Sequence, residues 1–224
     1  MKPGKKGPPA YRVKVWDLPT RLFHWALVAL VILSFVTGKL GGTAMGRHEW
    51  SGVAILVLVL FRLVWGFAGG ELSRFRSFVR GPSTVCRYGA TLLKRESRRH
   101  LGHNPLGGWS VVLLLTALLV QAGTGLFAND DILTEGPLFR LVSKSVSDQL
   151  TGIHHLSQSI LIGLIAIHVA AILFYLTVKK ENLITPMVTG VKVWPQAARP
   201  ALGKVWLAGV IVILLALAAY SLLL

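Results

Sequence analysis

Cysteine is nearly missing from this sequence. Cys86 is the only one in 224 residues, so no disulfide forms within the chain and no cluster held by four thiolates can be built. The Cys-x-x-Cys-His signature is absent as well, which excludes covalent attachment of a c-type haem. Acidic residues are scarce, nine against 24 Lys and Arg, leaving a formal charge of +15. Charge of either sign is thin, at 15% of residues against 53% hydrophobic, and the mean hydropathy is +0.61. A soluble domain does not carry that balance, because much of its surface must face water. The basic excess lies between long apolar runs, so membrane topology accounts for it and a nucleic-acid partner is not expected.

What the sequence does have is long apolar runs. Five are long enough to cross a bilayer, which takes about 20 helical residues: Leu18–Gly38, His48–Ala68, Gly107–Phe127, Ile153–Val178 and Lys204–Leu224. Asp17 is a natural N-cap for the first, with Pro19 in its first turn, and Asn104-Pro105 opens the third in the same way. The expectation is an all-α membrane bundle: a basic tail over 1–17, a four-helix core over 18–178 with a basic loop at 69–106, a linker over 179–203, and a fifth helix over 204–224. The basic segment Met1–Lys14 leads into a run of spanning length, which reads as an uncleaved signal-anchor. Six Lys/Arg lie in the N-terminal stretch through Arg21, eight in Gly69–Leu106 and five in Lys179–Lys204, against only Lys39, Arg47, Arg140 and Lys144 in the other connections. The positive-inside rule then puts the N-terminus in the cytoplasm and the C-terminus outside. Glu71–Arg99 mixes Phe75, Phe78, Leu92 and Leu93 with arginines, so it either lies on the anionic leaflet or is a solvated basic loop.

Of seven histidines, five lie in or at the mouth of spanning segments, where ionisable side chains are costly and functional. His154 and His168 are 14 residues apart, which returns to within about 40° of one helix face some 21 Å further along. His155 points elsewhere, about 140° from His168. One helix thus offers two inward imidazoles at two depths. His48 opens the second helix at the depth of His154, and His24 lies near the depth of His168. The expected pairs are His48 with His154 on the outer side and His24 with His168 on the inner side, each gripping one haem iron. Neutral imidazole is a good axial ligand, and six-coordinate haem favours electron transfer over oxygen binding. Arg62, 14 residues after His48, shares its face at inner depth, where it either meets a haem propionate or snorkels to the interface. Gly38, Gly52 and Gly66 leave room for a flat ring or serve ordinary helix packing. The competing readings are histidines bonded to neighbouring helices and a zinc site, although zinc gathers its ligands around one centre. His100 and His103 read as interfacial and stay unassigned.

These residues resemble a known family. Val15-Trp16-Asp17-Leu18-Pro19-Thr20-Arg21-Leu22-Phe23-His24-Trp25, His48-Glu49-Trp50-Ser51-Gly52, Phe61-Arg62-Leu63-Val64-Trp65-Gly66-Phe67, Gly102-His103-Asn104-Pro105-Leu106-Gly107, Ile153-His154-His155 and Ile167-His168-Val169 are similar to the helix motifs of bacterial cytochrome b561 proteins and hydrogenase-type cytochrome b subunits. The resemblance covers roughly Val13 to Val178. It implies a four-helix core with two haem b groups ligated at His24, His48, His154 and His168. It also implies electron exchange across the inner membrane between the quinone pool and a periplasmic redox protein, such as a c-type cytochrome or a hydrogenase-like enzyme. Many relatives have a glutamate after the outer fourth-helix histidine, where this chain has His155; that neighbour is the alternative ligand. Asp130, Asp131 and Glu135 either dock a basic partner or are solvated acids. The other functional classes are a self-contained quinone or superoxide oxidoreductase and a haem-free transporter using histidines as proton relays.

Overall fold

Long apolar stretches satisfy their backbone groups in lipid by closing helical hydrogen bonds within each segment. In the computed structural model, which describes residues 10–92, 99–132 and 134–223, this gives five helices of spanning length. They are α1 (Leu18–Leu40), α2 (Met45–Ala68), α5 (Pro105–Gly125), α6 (Lys144–Thr177) and α8 (Val205–Leu223). Three short helices, α3 (Phe75–Phe78), α4 (Pro82–Thr91) and α7 (Ile184–Thr189), and two strands, β1 (Tyr11–Lys14) and β2 (Val191–Trp194), lie between or beside them. The expected caps form: Asp17 accepts from the Thr20 N–H at 2.9 Å and Asn104 from the Gly107 N–H at 2.8 Å.

α1 packs along α2, α2 along α5, and α5 along α6, whereas α6 does not pack closely along α1 or α2. That opening on the fourth side of the bundle is where the histidines meet. α2 is the central helix, with Val59 and Trp65 fully buried. α8 lies behind the four-helix core against α2 and places Ala208 in the shared core. Many apolar side chains on α6 and α8, among them Leu156, Ile167, Ile213 and Leu214, remain exposed, as expected where the surrounding solvent is lipid.

The boundaries of the polar pieces differ from the sequence reading. α6 begins at Lys144 instead of Ile153 and runs for 34 residues, about 51 Å. Its first turns are polar, and hydropathy reports only the part in lipid. Those turns hold the α5–α6 connection, with the Ser147 hydroxyl donating to Phe127 O at 2.6 Å and the Asn129 amide donating to Ser147 Oγ at 2.6 Å. The tail and the linker, read as separate segments, are tied together. β1 pairs antiparallel with β2, Tyr11 opposite Trp194 and Val13 opposite Lys192. The uncleaved signal-anchor expectation rests partly on residues 1–9, which lie outside the described residues, as does Leu93.

The first half of the loop over 69–106 turns two of its aromatic side chains onto the bundle. Phe78 is buried, and the Phe75 ring presses on Gly66, where a Cβ would stand 2.0 Å from it. This segment caps the basic end of the bundle. Asp17 is its hub: beyond capping α1, its carboxylate accepts from Gly70 N at 3.1 Å, Ser73 Oγ and Gly203 N at 3.3 Å, and Trp65 Nε1 at 3.4 Å. One buried carboxylate thus joins the starts of α1 and α8 to the end of α2, with its lone pairs filled. Gly70 and Gly203 come so close to it that a Cβ on either would fall within 2.5 and 2.8 Å of its oxygen.

Candidate functional site

His48 and His154 face each other across the open side of the bundle, with ring centres 6.1 Å apart and planes nearly perpendicular. Hydrogen bonds fix how each ring can act. Nδ1–H of His48 donates to Ser34 O at 2.8 Å, and Nδ1–H of His154 donates to Gln121 O at 2.9 Å. In both rings the lone pair is therefore left on Nε2. The Gln121 amide donates to that lone pair on His154 at 3.0 Å, while its oxygen accepts from Ser157 Oγ. Two glycines make room for the rings. A Cβ at Gly38 would stand 2.8 Å from His48 Nδ1, and one at Gly125 3.0 Å from His154 Cε1.

The two rings line two adjoining cavities. One, about 330 Å³, has apolar walls from Val31, Ile55, Leu118, Leu161 and Ile165. The other, about 380 Å³, opens past Lys39, Glu49, Asn129, Glu135 and Thr151. Gly52 lines the apolar chamber with open space beside it. His155 is exposed, lies 6.3 Å from His154 ring to ring, and lines only the polar mouth.

At the basic end the histidines are arranged differently. His168 lies within electrostatic reach of His24, without a ring contact of the kind that joins His48 to His154. His103, unassigned from sequence, belongs to the same neighbourhood. Its ring is wedged between Trp16 at 4.7 Å and Phe78 at 4.6 Å. Burial, and then the proximity of Arg62, His168 and His24, pushes its imidazole down to about 3. Arg62 is buried and does not snorkel. Its Nη2 donates to Ser73 O at 3.0 Å and its guanidinium lies 5.1 Å from the centre of the Phe75 ring.

Of the three glycines singled out from sequence, then, Gly38 seats a histidine, Gly52 borders the chamber, and Gly66 serves packing. Gln121 and Gly125 were missed. The signal for Gln121 was present, an uncharged polar side chain within an apolar span. Gly125 had none, because its role depends on a ring from another helix. Asp130, Asp131 and Glu135 lie in the α5–α6 connection, with Asp131 paired to Lys144. Among the described residues, no three His, Cys, Asp or Glu side chains gather around one point as a zinc site requires.

The donor set and the space fit a haem at the His48 level. Two imidazoles on opposite faces of one iron, each with a metal–nitrogen bond of about 2 Å, have ring centres about 6 Å apart. An apolar chamber with a polar mouth suits a flat hydrophobic ring that carries acidic side chains. A helical membrane bundle of this kind is a membrane cytochrome b. Residues 15–190 match the prokaryotic cytochrome b561 family, to which this chain belongs. Among its relatives is a probable Ni/Fe-hydrogenase B-type cytochrome subunit of Bradyrhizobium diazoefficiens, 26% identical over 80% of this chain and 85% of the relative. Proteins of the same description from Rhizobium leguminosarum bv. viciae and Cupriavidus necator are each 23% identical, over 84% and 79% of this chain and 91% and 85% of their own lengths. No solved structure matches the chain. The protein is a multi-pass b-type cytochrome of the inner membrane whose cofactor is haem b and whose work is electron transfer.

Proposed function

We propose that the chain holds two haem b groups, one clamped by His48 and His154 and one by His24 and His168, and passes electrons between them across the membrane. Haem supplies a reversible one-electron couple when bound. The protein's own part is to hold the imidazoles, fix their tautomers and keep the chamber apolar. The Nδ1–H of His48 and that of His154 are each tied to a carbonyl of a neighbouring helix, so both rings are oriented with the lone pair on Nε2; on His154 the Gln121 amide that bonds this lone pair would have to turn away for iron to bind. The observation that carries this reading is the His48–His154 approach at 6.1 Å between helices that are otherwise apart.

The expected topology, with a cytoplasmic N-terminus and a periplasmic C-terminus, puts the His48 level on the periplasmic side. There the chain exchanges electrons with a periplasmic redox protein, and at the basic end with the quinone pool. The relatives' description as subunits of Ni/Fe hydrogenases supports a hydrogenase-like partner over a c-type cytochrome. The mouth beside His154 is lined by Glu49, Asp130 and Glu135 with Lys39 as its only Lys or Arg. Such a lining repels an anionic reactant, which argues against superoxide as the substrate.

A redox-titrated visible spectrum of the purified chain tests the proposal. Two haem b per polypeptide with separable midpoints are expected. A colourless preparation sinks the reading, and a single haem reduces it to one clamp.

A further inference from the structure

Among the described residues four side-chain nitrogens are buried without a hydrogen-bond partner, Nε of Arg21, Nδ1 of His24, Nη1 of Arg62 and Nδ1 of His103, and the last two belong to side chains that meet the same Phe78 ring. Arg62 is 3% exposed. Its guanidinium lies 6.0 Å from the centre of the Phe78 ring, and the other face of the same cluster is His103, 4.6 Å from Phe78 ring to ring. The two side chains therefore flank one aromatic neighbour. A guanidinium keeps its charge at any physiological pH, and a buried one calls for an anion. The nearby carboxylate, Asp17, offsets part of that charge from a distance, with Ser73 bonded to both. Among the described residues, no ion pair forms with Arg62.

His103 is held as firmly as Arg62. Trp16 and Phe78 grip its ring, and Gly108, where a Cβ would stand 2.6 Å from Phe78 O, keeps that wall close. An imidazole clamped in this way offers a fixed ring nitrogen beside a fixed cation. Together they suit an oxygen pair carrying negative charge, with Arg62 supplying the charge and His103 a second hydrogen bond. The place is largely enclosed, with Arg62 buried and His103 half-buried. Phe75 seals it against Gly66, and Phe78 and Trp16 are buried. An oxygen group arrives there as part of something bound from within the bundle, in preference to a head group that exchanges with lipid.

We propose that Arg62 and His103 form a two-donor seat for a carboxylate of the resident cofactor at the His24/His168 level. The seat makes His103 a positioning residue, and it rests on the reading of that level as a haem site. Its effect is electrostatic. A cation beside the carboxylate disfavours the extra positive charge of oxidised iron and so raises the midpoint of that haem.

The test uses the full-length chain and its R62Q, H103L and H103Q variants, with haem content and a redox titration resolved for each haem. All are expected to retain both haems. R62Q and H103L are expected to lower the reduction equilibrium of the haem at the basic end on the order of tenfold, about 59 mV for one electron. The haem at the His48 level should not move. H103Q keeps an amide donor and should return the midpoint toward that of the unaltered chain, a rescue that a packing role for His103 would not give. Where H103L does not accumulate, R62Q against R62K carries the comparison, with R62K nearer the unaltered chain. Unchanged midpoints in R62Q and H103L, with both haems bound, overturn the seat. A weaker KM for quinol at an unchanged midpoint overturns it too, by assigning the oxygen to the substrate. An unaltered chain without a haem at the basic end instead refutes the reading on which the seat rests.

Discussion

The two ends of this bundle hold their histidines by opposite means. At the His48 level the rings approach across an open side, each anchored by one hydrogen bond to a carbonyl of a neighbouring helix and seated on a glycine. They line the apolar chamber, whose polar mouth reaches the surface. At the basic end the 69–78 segment, Trp16 and the β1–β2 pair form a cap pinned by the Asp17 hub, while His24 and His168 are half-buried like His48 and His154. The difference teaches that a spacing of 14 residues on one helix puts imidazoles at two levels without giving the levels the same surroundings. The open level suits contact with a partner protein. The capped end carries the buried Arg62 and the wedged His103.

The largest expected effect separates the two levels. His48→Ala or His154→Ala should remove one haem and leave the other, and His24→Ala or His168→Ala should do the converse, read as haem per chain and as loss of one of two redox transitions. His155→Ala should keep both. If His155→Ala empties the level that His154→Ala spares, the facing argument fails.

Next comes the cap. Asp17→Ala strips the acceptor from buried N–H groups of Gly70, Gly203 and Trp65, and should destabilise the protein by about 3 kcal/mol or more, since each unsatisfied buried donor costs about 1–3 kcal/mol. Thermal denaturation in detergent, followed at both haem bands, should show the basic end releasing its haem first. Simultaneous release from both ends would mean that the cap does not distinguish them.

The glycines sharpen the contrast at smaller scale. Gly66→Ala drives a methyl into the Phe75 ring and should cost about 1–3 kcal/mol by overpacking, with the His48-level haem untouched. Gly38→Ala instead pushes on His48 and should loosen that haem while leaving the cap intact. An equal loss of both haems in each variant would erase the distinction. Smallest of all is Ser34→Ala. His48 is anchored chiefly by the Ser34 backbone carbonyl at 2.8 Å, with the hydroxyl at 3.3 Å, so the change should stay within about 0.5 kcal/mol and leave the spectrum as it was.

Much of this was legible in sequence because it depends on repeats along a single helix. Apolar runs of spanning length dictate helices in lipid, since no other open segment satisfies its own backbone there. The 3.6-residue turn is enough to separate His154, which faces inward, from His155, which is exposed. The caps at Asp17 and Asn104 are equally local, each an oxygen three residues from the N–H it accepts. What escaped were features made by residues far apart in the chain. The polar start of α6 carries no hydropathy signal, and the β1–β2 pair joins segments some 180 residues apart. Gly125 matters only because a ring on α6 lands on it.

Local chemistry along the chain, then, determined five spans, their caps and the face on which four imidazoles lie. Tertiary structure alone decided that His48 and His154 meet beside a cavity, that Asp17 binds three segments into a cap at the basic end, and that His103 and Arg62 share the Phe78 ring. The reason is that helix periodicity is an intrinsic property of consecutive residues. Enclosure and charge pairing arise only when distant segments converge, and no one segment carries them.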